Sequence, residues 1–262
     1  FSGKKKNQGE IMKTLRGAKN STVKLGVQRG NSPELLYFDV TRGDVPVNSV
    51  DVSFEAAKGI GYIKVSKFAR NTYNEFITAI AKLKQAGCTS FVIDLRGNTG
   101  GYMDAAINMI NEFMPEGRLI VYTEGKSFPR SDVYANGTGT CKDAPIVVLT
   151  DEISASASEI FSGAIQDNDR GTIIGRRTYG KGLVQTQMSL SDGSEMRLTI
   201  ARYYTPSGRC IQKKYEMGNT DAYDQDIYNL YMHGEFDSAD SIKMDDSLKY
   251  QTVGGRTVYG GG

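Results

Sequence analysis

The sequence is poor in the residues that mark several common kinds of site. Among its 262 residues there is one histidine, His233, in a polar region near the C-terminal end. The three cysteines, Cys88, Cys141 and Cys210, are an odd number at unrelated spacings, which matches neither a metal-ligand pattern nor a disulfide framework. The sequence therefore predicts no metal site and no cofactor, and a serine enzyme of this composition would need a base other than histidine.

Long apolar runs and a strong charge of one sign are also missing. No apolar run approaches the roughly 18 residues that a membrane-spanning helix requires. The net charge is +2, and no basic cluster alternates with aromatic residues, so the sequence predicts no nucleic-acid partner. Hydrophobic residues make up 39% of the chain and charged residues 24%, which is ordinary for a globular protein with one large core, or a medium core and a small appendage.

From residue 59 onward, apolar strands alternate with helical patterns. The strands "IGYIKV", "SFVIDL", "PIVVLT" and "TIIG" are separated by segments with helical periodicity at about 71–87, 104–114 and 154–167. Thr72 and Glu75 predict a capping box for the first of these helices. This alternation favours a mostly parallel sheet covered by helices. After Gly182 the period changes to two, which predicts a hairpin through "SDGS".

Two loops that follow predicted strands contain unusual residues. Sites in α/β sheets form where loops leave the carboxyl ends of the strands. Glycines in "RGNTGG" let backbone N–H groups approach a ligand, and "DEISASAS" leads into a helix N-terminus, which favours negative charge. Together these loops can form an oxyanion hole. Ser156 and Glu159 also match S-x-x-E, so a simple N-cap role for Ser156 stays open.

A third loop, "TYGKGLVQ", places Lys181 between two glycines. It does not match the phosphate-binding pattern G-x-x-x-x-G-K-[ST]. An exposed lysine in a turn is the simple interpretation. The alternative is a lysine that faces the serine and glycine loops of the same sheet and replaces the missing histidine as a base.

The motifs "DLRGNTGG", "SASASEIFSGAIQD" and "TYGKGLVQ", in this order, resemble those of the C-terminal processing peptidases, or tail-specific proteases, over about residues 59–212. The resemblance implies an α/β, crotonase/ClpP-like core with a mixed, mostly parallel sheet and packed helices. It implies a serine endopeptidase that cleaves loosely folded polypeptides near their C-termini, with polypeptide as the partner and no cofactor. Homo-oligomerisation stays open.

The resemblance also implies roles for individual residues. Ser156 and Lys181 match the catalytic Ser-Lys dyad, and Gln185 matches a further polar residue of the catalytic group. The oxyanion donors correspond to Ala157 and to one of two glycines, and two acidic residues of the helix correspond to supporting positions: Gly100, Gly101, Glu159 and Asp167. Because the pKa of a free lysine is about 10.4, such a base needs a site that lowers its pKa, mainly through desolvation.

Residues 1–45 are similar, in "IMKTLRGAKNSTVKLGVQR", to the final helix and strand of a PDZ domain. The resemblance implies an incomplete PDZ-like segment whose peptide groove would need residues before Phe1. It also implies a catalytic core at 46–215 and an exported protein, periplasmic or associated with the cell envelope. Residues 216–262 form a polar tail to which the sequence assigns no fold.

Two other functions stay open. A crotonase-like acyl-CoA enzyme would share the architecture and the glycine-rich loop without needing the pairing of Ser156 with Lys181. A catalytically silent peptide-binding or scaffold protein would keep the fold without turnover, and a Lys181 side chain that points to solvent would favour it.

Overall fold

The computed structural model describes residues 6–30, 32–44, 48–215, 225–242 and 244–261. The chain divides into two compact units, Phe1–Val47 and Asn48–Gly262. Across these described ranges, no helix is both long enough and apolar enough to cross a membrane.

The first unit contains one helix and one hairpin. Helix α1 (Gln8–Leu15) begins where the Asn7 side chain accepts a hydrogen bond from the Glu10 N–H at 2.9 Å. Strands β1 (Thr22–Gln28) and β2 (Leu35–Thr41) pair antiparallel. The helix and the strand implied by the resemblance are therefore present as α1 and β1, while their assignment to a PDZ domain stays a prediction.

The second unit contains the remaining elements. In chain order they are β3 (Val50–Ala57), β4 (Ile60–Val65), α2 (Thr72–Gln85), β5 (Ser90–Asp94), α3 (Met103–Asn111), β6 (Leu119–Gly125), β7 (Phe128–Tyr134), β8 (Ile146–Thr150), α4 (Ala157–Asp167), β9 (Thr172–Gly175), β10 (Leu183–Ser189), β11 (Glu195–Tyr204), α5 (Asp226–Met232), β12 (Lys249–Gln251) and β13 (Thr257–Tyr259).

Within residues 48–215, which the structure describes without a gap, five strands form the main sheet in the order β3-β4-β5-β8-β9. Strands β4, β5, β8 and β9 run parallel, and β3 pairs antiparallel with β4. The predicted α/β fold with a mixed, mostly parallel sheet is confirmed. Strand β3 was not predicted, and nearly all of its residues are exposed, so it lacks the buried apolar run of the inner strands.

A second sheet is antiparallel, in the order β10-β11-β6-β7. The predicted hairpin is β10 and β11, in which Met188 lies opposite Met196. Strands β6 and β7 were not predicted. Most of β7 is exposed, and its residues do not follow the regular alternation that identified β10.

The core lies between the main sheet and helices α2, α3 and α4. Phe113 lies at its centre and makes edge-to-face contacts with Phe76, Phe91 and Phe161, with ring centroids 6.2–6.5 Å apart. Such aromatic pairs add stability beyond the apolar area they bury. This core fixes the carboxyl ends of β5 and β8, from which the glycine and serine loops emerge.

The predicted capping box at Thr72 and Glu75 is wrong. Helix α2 begins after Asn71, so Thr72 is its first helical residue, and the Thr72 hydroxyl accepts a hydrogen bond from the Ala69 N–H at 2.7 Å. Glu75 Oε2 instead accepts from two backbone N–H groups, those of Ser49 at 2.6 Å and Val50 at 3.0 Å. The carboxylate therefore anchors the start of β3 to the helix.

The described part of the C-terminal tail has regular structure. Strands β12 and β13 pair antiparallel, and the Thr252 hydroxyl donates to Asp169, just beyond α4, at 3.0 Å. His233 is exposed and caps the C-terminal end of α5. Residues 216–224, which belong to the predicted tail, lie outside the described residues.

Candidate active site

Ser156 stands at the N-cap of α4 in an unusual backbone conformation. Its φ is +57° and its ψ −112°, a region that residues with a side chain rarely adopt. Such conformations cost about 1–3 kcal/mol and concentrate at functional sites. The loop before α4 therefore holds Ser156 in a strained position at the carboxyl edge of the main sheet.

The other two serines of the run have structural partners. The Ser154 hydroxyl donates to the Leu95 carbonyl oxygen at 2.9 Å, and the Ser158 hydroxyl donates to the Asn98 carbonyl oxygen at 2.9 Å. Both side chains are fully buried, whereas Ser156 is partly exposed. Ser154 and Ser158 thus join the serine loop to the glycine loop, and Ser156 is the one serine of the run whose side chain is accessible to solvent.

The glycine loop packs directly against Ser156. Gly100 has φ +97°, and a Cβ atom there would lie 2.6 Å from the Ala155 carbonyl oxygen and 2.7 Å from Ser156 Cβ. Only glycine permits this approach. The Gly100 N–H donates to the side-chain oxygen of Asn98 at 2.8 Å. Asn98 is fully buried, so this bond fixes the loop beside the serine.

Two backbone N–H groups beside Ser156 are available to a ligand. Phe68 pairs with the residues on either side of Gly101, which leaves the Gly101 N–H on the opposite side of the chain. Ala157 is the first residue of α4, where N–H groups have no partner within the helix. Neither N–H donates a hydrogen bond to any residue that the structure describes.

Glu159 connects the serine to the lysine loop. Its buried carboxylate accepts from the N–H groups of Ser156 at 2.7 Å and Lys181 at 2.8 Å, both through Oε2. Oε1 accepts from the Gly180 N–H at 2.6 Å and the Thr178 hydroxyl at 2.7 Å. Burial raises the pKa of Glu159, and these hydrogen bonds oppose that rise.

The shared Glu159 oxygen limits the distance between the backbone nitrogens of the two predicted catalytic residues, Ser156 and Lys181. Because Ser156 N and Lys181 N both bond to Glu159 Oε2, their separation cannot exceed the sum of those two distances. Ser156 is also the N-cap of α4, and the Glu159 side chain accepts its N–H, so the capping interpretation of the S-x-x-E spacing holds as well. The same contact serves the helix and brings the two loops together.

The side chain of Lys181 is exposed. Its ammonium group makes no hydrogen bond or ion pair with any residue in the described part of the chain. The desolvation expected of a lysine base is therefore absent in this structure. Gln185 is exposed on β10, and its amide nitrogen lies 3.5 Å from the Thr199 hydroxyl, so it contacts that residue rather than the lysine amine.

Asp167, at the C-terminal end of α4, is fully buried and paired with Arg209. Arg209 Nη2 donates to it at 2.8 Å, and the Ser207 hydroxyl donates at 2.7 Å. These partners belong to the loop that follows β11, not to the loop that carries Lys181. The contacts of Asp167 therefore join α4 to the segment that leads into the C-terminal tail.

Asp94, the last residue of β5, was not predicted as a site residue. Arg96 donates to it through Nε at 3.0 Å and Nη2 at 2.7 Å, and the Tyr62 hydroxyl donates at 2.6 Å. Burial alone would raise the pKa of Asp94, but the hydrogen bonds from Arg96 and Tyr62 outweigh it and hold the pKa well below its usual range. The D-x-R spacing in "DLRG" was the available signal for this pair.

Replacing Asp94 with asparagine should make stability less dependent on pH. A carboxyl group whose pKa is lowered in the folded state contributes fully to stability above its unfolded pKa of about 3.9. This contribution starts to decline below that pH, so that it is already smaller at pH 3, and it is lost as the pH falls through the folded value. We expect Asp94→Asn to lower the free energy of unfolding by about 2 kcal/mol at pH 7. Urea titrations at pH 7 and pH 3 measure the difference.

The matched control for this variant is Asp132→Asn. Asp132 also pairs with an arginine, Arg130, but their ion pair is on the surface, so its removal should change stability little at either pH. An Asp94→Asn variant that loses as much stability at pH 3 as at pH 7 would show that the carboxylate charge is not what stabilises the fold.

Comparison with known proteins identifies the family. The sequence model described as Peptidase family S41 matches residues 59–221. The chain belongs to peptidase family S41. The predicted resemblance to C-terminal processing peptidases is thereby confirmed for the core. Among the described residues of this S41 chain, no three His, Cys, Asp or Glu side chains are grouped so that they could hold a metal ion.

Similar proteins include a carboxyl-terminal-processing protease from Synechocystis sp., 36% identical over 207 residues, which cover 78% of this chain and 48% of that protein. A protein named Probable CtpA-like serine protease from Staphylococcus haemolyticus is 35% identical, with 78% of this chain and 41% of that protein covered. The solved structure of a photosystem II D1 C-terminal processing protease matches with a TM-score of 0.59 and 32% identity, covering 78% of this chain and 56% of that one. The S41 chain thus spans about half the length of these relatives.

Proposed function

We propose that this chain is the catalytic part of a serine endopeptidase that uses Ser156 and Lys181 to hydrolyse peptide bonds. The observation that carries the proposal is the shared Glu159 carboxylate, to which the backbone N–H groups of both residues donate. The close packing of Gly100 against Ser156, which brings the glycine loop to the same edge of the sheet, supports an oxyanion site there. Membership of family S41 and the names of the relatives support the same chemistry.

In the proposed reaction, Ser156 Oγ attacks the carbonyl carbon of the scissile peptide while neutral Lys181 takes the hydroxyl proton. The negative charge that forms on the carbonyl oxygen accepts hydrogen bonds from two backbone N–H groups. As the C–N bond breaks, the lysine gives its proton to the leaving amine. Water then attacks the acyl-enzyme, with the same lysine as base, and releases the acid and free Ser156.

The two oxyanion donors are assigned to Ala157 and Gly101. The Gly100 N–H is already bonded to the Asn98 side chain, whereas the N–H groups of Ala157 and Gly101 have no partner among the described residues. Gly100 instead supplies the space that lets the two loops meet. Each preorganised donor contributes about 3–4 kcal/mol to the stabilisation of the transition state.

The exposed Lys181 needs a change of environment to act as a base. A polypeptide bound across the serine and lysine loops would remove water from the amine, and desolvation lowers the pKa of a lysine. In that covered state we assign Gln185 to the lysine amine as a hydrogen-bond partner, in place of its contact with Thr199. Substrate binding and activation of the base are then one event.

One observation favours a second function. The solvent-facing Lys181 is what a catalytically silent peptide-binding protein of this fold would show. The two functions differ in a direct way, because a binding protein retains a polypeptide without cleaving it. The acyl-CoA alternative has no comparable observation in its favour and is not carried forward.

The proposed substrate is a loosely folded polypeptide cleaved near an apolar C-terminal end. A serine at a helix N-terminus beside a glycine loop recognises main-chain carbonyl groups, so selectivity must depend on how the polypeptide is delivered. The related proteins are named for carboxyl-terminal processing. We extend the proposal to an exported protein in which residues 1–45 are part of a PDZ-like domain that presents the substrate C-terminus.

The test uses the whole protein to which this chain belongs and an unfolded polypeptide with an apolar C-terminus, either free or amidated. We expect cleavage near the C-terminus, faster with the free carboxylate, and none by the Ser156→Ala variant, as followed by mass spectrometry. Equal cleavage of the two substrates would contradict C-terminal recognition. Retention of both substrates without cleavage by the folded protein would contradict the peptidase function and support the binding protein.

A further inference from the structure

The backbone around Lys181 is held by two side chains from distant parts of the sequence. Glu159 accepts from the N–H groups of Gly180 and Lys181, as described above. The next N–H along the chain, that of Gly182, donates to the side-chain oxygen of Gln212 at 3.0 Å. Lys181 thus lies between Gly180, whose N–H donates to a carboxylate, and Gly182, whose N–H donates to a neutral amide.

Gln212 is built into this position. Its side chain is buried, and its Nε2 donates to the Lys213 carbonyl oxygen at 3.1 Å, which turns its Oε1 toward Gly182. A Cβ atom on Gly182 would lie 2.4 Å from the backbone nitrogen of Gln212 and 2.9 Å from Ile211 Cβ. The segment that carries Gln212 therefore packs directly against the lysine loop, and a residue larger than glycine would push the two apart.

Main-chain bonds from Lys213, in the same segment, and from Tyr203 also hold the loop. The Lys213 N–H donates to the Gly180 carbonyl oxygen at 3.0 Å, and the Tyr203 N–H donates to the Gly182 carbonyl oxygen at 2.8 Å. These bonds set the distance between the loop and its neighbours. The side-chain bond from Gln212 fixes the orientation of the peptide group that follows Lys181, and so the direction in which the lysine side chain leaves the backbone.

We infer that Gln212 is a positioning residue for Lys181, an inference that rests on the proposed function. Gly182 is buried, so its N–H would be left without an acceptor if Gln212 were lost, and a buried N–H without an acceptor is costly enough for the loop to relax. A displacement of about 1 Å at a catalytic group can lower a rate by about 100-fold. Gln212 thereby affects the proton transfer without contacting the substrate.

The test compares two substitutions at Gln212. Gln212→Met keeps the shape of the side chain but removes the acceptor, and Gln212→Glu keeps an acceptor and adds negative charge near the lysine. We expect Gln212→Met to lower kcat by about 10- to 100-fold with KM unchanged. Gln212→Glu should retain most of kcat at the plateau of the pH profile, and the acidic limb of kcat/KM should move to higher pH, because negative charge raises the pKa of a lysine.

Gln166→Met is the matched control. The Gln166 side chain accepts from Arg209 Nη2 at 2.6 Å, so its loss also removes a hydrogen bond at α4 but not one at the lysine loop. It should lower the melting temperature without changing kcat or the pH profile. Equal loss of kcat in Gln212→Met and Gln166→Met, or an unchanged kcat in Gln212→Met, would overturn the inference.

Two further outcomes separate this inference from the proposed function. If Gln212→Met does not fold, the inference is tested by the acidic limb of the kcat/KM pH profile of Gln212→Glu. An acidic limb at the same pH as in the unsubstituted protein overturns the inference. If the unsubstituted protein shows no cleavage that depends on Ser156, the proposed function has failed, and the positioning role fails with it. A failure confined to the Gln212 variants leaves the peptidase function intact.

Discussion

Replacing Ser156 with alanine should abolish peptide hydrolysis in a protein that remains folded. Removal of a catalytic nucleophile lowers the rate by roughly 10⁴-fold or more. The fold should tolerate the change because alanine keeps the Cβ atom, so the strain at φ +57° is similar, and the loss of a serine N-cap costs about 1 kcal/mol. Cleavage of an unfolded polypeptide and covalent labelling of Ser156 by a fluorophosphonate measure the result.

Ser154 and Ser158 are matched controls from the same run of sequence. Each Ser→Ala variant should still be labelled at Ser156 and should still cleave the polypeptide. Each should also lose about 1 kcal/mol of stability, because a buried hydrogen bond between the serine loop and the glycine loop is removed. If Ser154→Ala were folded and as inactive as Ser156→Ala, the assignment of the nucleophile within the run would be wrong.

The sequence predicted the inner part of the fold better than its edges. Strands β4, β5 and β8 and helix α4 are buried, so their apolar residues follow the periods that identify parallel strands and covering helices. Strands β3 and β7 have mostly exposed residues, so neither contains the continuous buried apolar run that identified the inner strands. The predicted capping box failed for a different reason, since the Glu75 carboxylate bonds to backbone groups of a segment that is distant in sequence.

The sequence likewise predicted only part of the candidate site. The three motifs located Ser156, the glycine loop and Lys181 because their residue types are unusual at short spacing. They did not reveal Asn98 as the residue that fixes the glycine loop, or Gln212 as a contact of the lysine loop. The side chains of Asn98 and Gln212 each accept a hydrogen bond from a backbone N–H group. Because nearly every residue has such a group, the sequence does not show which one a side chain will bind.

The candidate site is thus held together mostly by side chains that bind backbone atoms. Asn98 holds Gly100, Glu159 holds Ser156 and Lys181, and Ser158 donates to the backbone of Asn98. All three of these side chains are buried. The two side chains that we propose to be reactive are, in contrast, partly or fully exposed. The buried contacts therefore set the geometry, while Ser156 and Lys181 remain accessible to a polypeptide.

Replacing Lys181 with alanine should also leave a folded protein with almost no activity. The Lys181 side chain is exposed and has no partner among the described residues, so its removal should change the free energy of unfolding by no more than about 0.5 kcal/mol. The loss of the base should lower kcat by about 10²- to 10⁴-fold, the range for general acid–base catalysis. Initial rates of cleavage and the urea midpoint, measured on the same sample, separate catalysis from stability.

Lys181→Arg is the sharper variant, because it keeps the positive charge and much of the length of the side chain. A guanidinium group does not lose its proton in a protein, so arginine cannot accept one from Ser156. We therefore expect Lys181→Arg to be as inactive as Lys181→Ala, and His233→Asn to be nearly as active as the unsubstituted protein. Activity retained by Lys181→Arg would show that the lysine acts through its charge alone, and a 100-fold loss in a folded His233→Asn variant would make the histidine the base.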